Sequence, residues 1–190
     1  MASRCDRVDC RMRSVHRLLL VLACGLPLAA DAQDFEAERR ALVREIRNDV
    51  AQTSFYIGRS KLDERVMQAL ATVPRHRFVP DHLQRYAYDN RPLPIGHGQT
   101  ISQPFIVALM TDLLEPAADD VVLEIGTGSG YQAAVLAGLV KEVYSIEIVA
   151  PLGESARARL AALGYDNVQT RIGDGYYGWA EHAPYDAIIV

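Results

Sequence analysis

Val121-Val122-Leu123-Glu124-Ile125-Gly126-Thr127-Gly128-Ser129-Gly130-Tyr131 is the stretch that decides the fold. A short, mostly β-branched apolar run stops at a turn with glycine at every second position, and a helical pattern follows. A strand buried on both faces of a parallel sheet reads this way. The glycines permit a tight turn and remove side chains that would keep a ligand away from the backbone. A dinucleotide-binding turn reads G-x-G-x-x-G. Here Tyr131 holds the place of that third glycine, and Gly130 lies one position earlier. The G-x-G-x-G spacing behind Glu124 suits a bulky adenosyl amino acid better than a pyrophosphate. S-adenosyl-L-methionine is therefore favoured over a nicotinamide.

Downstream, the pattern alternates. Tyr131–Val140 reads as a helix, Glu142–Ile148 as a strand, Pro151–Leu163 as a helix closed by Gly164, Val168–Ile172 as a strand, and Ala187–Val190 as the start of another. Strands separated by helices of this length imply a mostly parallel α/β sheet flanked by helices. The last strand coincides with the end of the sequence. An open sheet is expected to continue further, so the chain is read as lacking its C-terminal part.

Upstream, Asp34–Val50 has a charged, helical pattern, and Asp63 is placed to cap a second helix carrying Val66, Met67 and Leu70. Pro74 to Pro80 and Pro92 to Ser102 read as loops, because prolines and glycines punctuate them. Ser102 is placed to cap a third helix that begins near Pro104. The expected organisation is a leader over 1–32, an N-terminal helical and loop region over 33–117, and a cofactor-binding core over 118–190.

The leader has its own signature. Arg11, Arg13 and Arg17 precede the apolar run Leu18–Leu28, and Ala30-Asp31-Ala32 gives a small-x-small cleavage pattern. That order is a secretory signal, too short for a membrane span. Export, to a periplasm, is the expectation; a cytoplasmic location is the alternative. All three cysteines (Cys5, Cys10, Cys24) fall in this segment. The mature chain would then have no disulfide, thiolate nucleophile or cysteine metal site, and no metal site is expected. With a net charge of -4 and no basic stripe beyond the leader, nucleic acid is not expected as a partner, nor is stable membrane association after signal cleavage.

Several polar residues could carry chemistry. Glu147 ends the second core strand, where a carboxylate can accept both ribose hydroxyls. Asp174, within Gly173-Asp174-Gly175, could receive an adenine amine; it could equally be an ordinary turn residue. Glu124 could brace the glycine turn or meet an ammonium group, and bracing is preferred. Ser102 from position alone is a helix cap. His76 and His82 show no metal-ligand pattern, and no G-x-S-x-G elbow is present. Tyr176, Tyr177 and Trp179 read as core or cleft wall.

Four segments together resemble the protein-L-isoaspartate O-methyltransferases. They are Val73–Pro80; Leu93–Pro104, containing Gly98-Gln99-Thr100-Ile101-Ser102-Gln103-Pro104; Val122–Tyr131; and Gly173–Gly175 with Ala183–Val190. The Gly-x-Thr-Ile-Ser-x-Pro segment is the most specific of them. The resemblance implies a Rossmann-like fold with an N-terminal helical extension. It implies transfer of a methyl group from S-adenosyl-L-methionine to the free carboxylate of L-isoaspartyl residues in damaged proteins and peptides, starting repair through a succinimide. It assigns catalysis to Ser102. It assigns cofactor contacts to Thr100, Ile101 and Ser102, to Gly126, Thr127, Gly128, Ser129 and Gly130, to Glu147 with Ile148, and to Asp174 with Gly175; Glu124 joins this set. A monomer is expected. The competing readings are a methyltransferase for another acceptor and a non-catalytic cofactor- or protein-binding module.

Overall fold

The structure, a computed structural model, describes residues 35–190; the expected leader and its cysteines lie outside them. Helix α1 (Phe35–Ile57) buries Leu42, Val43, Ile46 and Val50, the apolar face read from the sequence. It runs on past Val50 because propagation costs little once a helix exists. Its last turn presents Phe55 and Tyr56 to solvent. Asp63 caps helix α2 (Glu64–Thr72), accepting from the Arg65 amide at 2.7 Å. The proline-bracketed stretch then winds into a 3-10 turn at Arg75–Phe78, and a second follows at Asp81–Tyr86.

The stretch expected to be a loop before Ser102 is a β-hairpin. Strands β1 (Leu93–Gly96) and β2 (Gln99–Ile101) pair antiparallel. Pro94 is tolerated because a two-stranded ribbon leaves each strand one unpaired edge. Gly96, His97 and Gly98 form the tip at φ 94, 54 and 72. The prolines and glycines that suggested a loop are therefore the hairpin's edge and turn. Helix α3 (Pro104–Leu113) follows.

The core alternates as expected: β3 (Val121–Ile125), α4 (Tyr131–Ala137), β4 (Glu142–Glu147), α5 (Ala150–Ala162), β5 (Val168–Ile172) and β6 (Ala187–Ile189). Gly164, just past α5, takes φ 78, as a helix-ending glycine should. All pairings are parallel, in the order β5-β4-β3-β6. The chain builds outward from β3 to β5, then returns to lay β6 on the other side of β3. The direction of winding therefore reverses beside β3. In open α/β sheets ligands bind at that reversal, beyond the carboxyl ends of the strands. The Gly126–Gly130 turn leaves β3 at this point.

One apolar core joins the helices to the sheet. Ile46, Val66, Met67, Leu70, Val107, Ala108, Val122, Val135, Leu136 and Val143 belong to it. A smaller cluster on Leu123, Tyr144 and Ile146 is covered by Trp179 and Tyr185. Trp179 is thus core wall, as read, whereas Tyr176 and Tyr177 are solvent-exposed.

The sheet interior also holds a carboxyl. Glu124 pairs in register with Ser145 across β3 and β4, is 2% exposed, and accepts from the Ser145 hydroxyl. Ser145 in turn shares a 2.6 Å hydrogen bond with Thr127. Glu124 Oε1 is buried and has no partner of good geometry. Burial raises its pKa to about 8; the Ser145 hydroxyl opposes this, the nearby Glu147 adds to it, and the Ala133 amide opposes it. The folded state thus holds a proton that the unfolded chain releases above its ordinary value of 4.5. Glu124 therefore withdraws stability as pH rises from 4.5 to about 8, and the loss levels off above that range. Urea midpoints of the wild type and Glu124→Gln should converge near the lower limit and diverge towards the upper one, with the variant favoured. Parallel curves across the range would contradict the buried, protonated carboxyl.

Candidate active site and donor pocket

Backbone bonds to the end of β4 set the glycine turn. The Gly126 and Thr127 amides both donate to the Ile146 carbonyl, at 2.8 and 3.3 Å, and the Gly130 amide closes the turn on the Thr127 carbonyl at 2.8 Å. Two glycines are required for different reasons. Gly126 has φ 95, and a Cβ there would meet nothing within 4 Å, so its face is open. Gly130 has φ 86, and a Cβ would come within 3.1 Å of Leu160 on α5. The first glycine leaves room for a ligand; the second lets helix α5 approach.

Glu147 latches the same turn. Its Oε2 accepts from the Gly128 amide at 2.7 Å and its Oε1 from the Val149 amide at 2.8 Å. It is 4% exposed. Both oxygens keep further lone pairs, so accepting from a ribose diol remains open to it. The bracing expected of Glu124 is therefore shared. Glu147 braces directly; Glu124 acts through Ser145 and Thr127. On the other side, Arg159 of α5 donates to the Ser129 carbonyl at 2.9 Å, and Ile95 of the hairpin lies 3.5 Å from where a Gly128 Cβ would sit.

Thr100, Ile101 and Ser102 share one small cleft with Gly126, Thr127, Gly128 and Ser129. Its volume is about 60 Å3, and Val107, Tyr131 and Gln132 complete the lining. Ser102 does not cap α3, contrary to its reading from position. The N-cap is Gln103, and Asn90 Oδ1 accepts from the Phe105 amide at 3.0 Å. Asn90 is itself held by Asp49 of α1 at 2.8 Å. With the helix end satisfied from elsewhere, the exposed Ser102 hydroxyl has no hydrogen-bond partner among the described residues. It is a free donor and acceptor at the rim of a cleft floored by backbone.

The remaining residues expected at the site lie along the adjoining sheet edge. Ile148 is 68% exposed just past Glu147. The Gly173 amide donates to the Glu147 carbonyl at 2.9 Å, which brings the loop after β5 to the same edge. Gly175 sits over the end of β3, where a Cβ would be only 2.3 Å from Ile125. Asp174 caps the 3-10 turn Gly175–Tyr177, its Oδ1 accepting from the Tyr176 amide at 2.9 Å. That is its ordinary turn role, and the other oxygen is left for a ligand.

A larger cavity, about 680 Å3, lies elsewhere: it runs past Arg65, Ala69, Val73, Leu139 and Tyr165. Its lining contains neither the glycine turn nor Ser102. Among the described residues no cluster of histidine, cysteine or carboxylate groups could hold a metal, and no helix is long and apolar enough to cross a membrane. Sequence reasoning missed Asn90, Arg75 and Gln132. Asn90 reaches α3 across 15 positions, and Gln132 donates to Thr111 of α3 at 2.9 Å across 21. No local pattern announces such contacts.

Known proteins share both sequence and fold with this chain. The family profile described as Protein-L-isoaspartate(D-aspartate) O-methyltransferase (PCMT) matches residues 52–190. A protein-L-isoaspartate O-methyltransferase 2 of Syntrophobacter fumaroxidans is 58% identical over 173 residues, covering 91% of this chain and 70% of that one. A protein-L-isoaspartate O-methyltransferase 1 of Cupriavidus necator is 57% identical over 176 residues, covering 93% and 67%. Among solved structures, a protein-L-isoaspartate O-methyltransferase superposes with a TM-score of 0.67 at 30% identity, covering 79% of this chain and 46% of that one. A putative one from Plasmodium falciparum, solved with S-adenosyl-L-homocysteine, has the same fold, with a TM-score of 0.61 at 21% identity over 81% and 71% of the two chains. The glycine turn, the carboxylate latch and the free serine thus sit in a sequence matched over most of its length, and the chain belongs to the protein-L-isoaspartate O-methyltransferase family.

Proposed function

We propose that this protein methylates the free carboxylate of L-isoaspartyl residues in damaged proteins and peptides, using S-adenosyl-L-methionine, with Ser102 as the catalytic residue. The observation that carries the reading is the cleft in which Ser102, its hydroxyl unengaged, meets the side-chain-free turn Gly126–Ser129. The donor supplies a methyl group on a sulfonium, already activated for displacement. The residues present fit it. The open face at Gly126 admits bulk where any side chain would intrude. Glu147 and Asp174 offer carboxylate oxygens along the edge, and Ile148 offers an exposed apolar surface for a flat base.

The reaction asks little of acid–base groups. A carboxylate is ionised at neutral pH and is its own nucleophile. One carboxylate oxygen forms a bond to the methyl carbon as the carbon–sulfur bond breaks, and the electron pair leaves with sulfur. No proton moves. The protein therefore has to align oxygen, carbon and sulfur and exclude water. A serine hydroxyl can donate to the second carboxylate oxygen and aim the first. This explains a catalytic serine with no histidine base. The ester product then closes to a succinimide: the neighbouring backbone nitrogen bonds to the ester carbon and gives up its proton, and the methoxy group leaves as methanol.

The segment 1–32 supports a second element of the proposal, export to a periplasm with cleavage after Ala32. The basic start, short apolar run and Ala30-Asp31-Ala32 favour it.

Incubation with labelled donor and paired peptides should give base-labile label on the isoaspartyl peptide and none on its aspartyl twin. Equal labelling, or none, would refute the activity. Ser102→Ala should lower kcat by about tenfold or more while S-adenosyl-L-homocysteine affinity stays within about twofold. An unchanged rate would make Ser102 a mere lining residue. Intact mass of the protein recovered from a periplasmic fraction should correspond to a chain starting at Gln33; an uncleaved cytoplasmic chain would refute export.

A further inference from the structure

Arg75 is the most deeply buried charge among the described residues. It was read only as part of a proline-bracketed loop, yet it is 0% exposed. Among the described residues no carboxylate pairs with it. Its charge is instead spread over three neighbours. Nε donates to the Ala87 carbonyl at 2.8 Å, Nη2 donates to the Ser102 carbonyl at 2.9 Å, and the guanidinium carbon lies 4.8 Å from the centre of the Tyr131 ring. Nη1 is buried without a partner. Burial pulls its pKa down from the ordinary arginine value, and the neighbouring tyrosines only partly oppose this. A buried cation without a counter-ion is expensive, and an apolar side chain of similar volume would fill the same space at lower cost. Packing alone therefore does not account for an arginine here.

Its three contacts share a geometric meaning. Ser102 carries the hydroxyl that rims the cleft. Tyr131 is the first residue of α4, directly after Gly130, and lines the same cleft. Ala87 lies just before the hairpin whose second strand leads into Ser102. One rigid, planar group thus spans the acceptor side of the cleft and the helix that begins at the donor turn. A lysine offers a single flexible ammonium. It can reach one carbonyl but cannot hold two carbonyls at once and keep a cation over the ring. Ser102 has no helix-cap bond of its own to fix it. Its backbone position is set by β2, by Pro104 and by this guanidinium.

We propose that Arg75 is a positioning residue for methyl transfer: by holding the Ser102 carbonyl while its guanidinium lies over the Tyr131 ring, it fixes the Ser102 hydroxyl relative to the Gly126–Gly130 turn. This rests on the reading of Ser102 as the catalytic residue. It assigns Arg75 no contact with donor or acceptor and no part in bond making.

The test compares Arg75→Lys and Arg75→Gln with the full chain, and counts active sites by S-adenosyl-L-homocysteine titration so that unfolded molecules drop out. The expected result for Arg75→Lys is a loss of about tenfold or more in kcat per titrated site, with donor affinity and isoaspartyl-peptide KM within about twofold. In a Ser102→Ala background the same substitution should cost less than about twofold, because the group it positions is gone. Arg75→Gln, which can still donate to one carbonyl, should lose at least as much as lysine and shows the effect if lysine folds poorly. An unchanged kcat per site in either folded variant, whatever happens to the melting temperature, would overturn the proposal and leave Arg75 a structural residue. So would an equal loss with and without the Ser102 hydroxyl, or failure of both variants to bind S-adenosyl-L-homocysteine at all. Absence of isoaspartyl methylation by the unsubstituted chain would remove the proposed function as well; activity there with additive losses would remove only the role of Arg75.

Discussion

At the end of β4 a buried carboxylate accepts two backbone amides, one from the turn after β3 and one from its own turn into α5. Charge-assisted bonds of this kind are short and strong, and inside a protein they are poorly screened. The Glu147 latch makes two neighbouring turns a single object. Gly128 cannot shift without breaking it, and α5 begins where it ends. Around it, the Ile146 carbonyl takes the Gly126 and Thr127 amides, and Arg159 returns from α5 to the Ser129 carbonyl. A glycine-rich turn is floppy by nature, since glycine gains more freedom on unfolding than any other residue. Its use as a ligand cradle depends on being pinned from outside, and β4 and α5 do the pinning.

The serine side of the cleft is arranged by the opposite device. Ser102 is kept free of the work its sequence position suggests. Asn90, anchored on Asp49, satisfies the start of α3, and Arg75 takes the Ser102 carbonyl. The hydroxyl is left with nothing to do inside the protein. The role proposed for Ser102 calls for a hydroxyl left unspent in this way, because one already serving as a cap would have to break one bond to make another. Helices α1 and α2 line no part of this cleft; Asp49 of α1 acts on it through Asn90. Both helices share one apolar core with the sheet.

Legibility in the sequence followed the range of each interaction. The strand–turn–helix unit was readable because its signals are local. The limits of β3 and β5 and the Asp63 cap all came from residues within a few positions. The hairpin before Ser102 was misread because Pro94, Gly96 and Gly98 mark both loops and edge strands, and only pairing separates the two. The bracing role of Glu147, beside that of Glu124, was not foreseen. A carboxylate at a strand end looks the same whether it faces ligand or backbone, and its partners here lie 19 positions back and 2 ahead.

By itself the sequence determined a parallel α/β sheet, a side-chain-free turn at the end of its first core strand, and the identity of the polar residues near it. Periodicity, glycine spacing and local resemblance encode these directly. Tertiary structure alone decided which of those residues are engaged and which are free. Asn90 displaced Ser102 as a cap, Glu147 became a latch, and Arg75 lost its solvent. Each outcome rests on a hydrogen bond between segments distant in the chain, and whether a polar group has already been satisfied by such a partner is not written in its own neighbourhood.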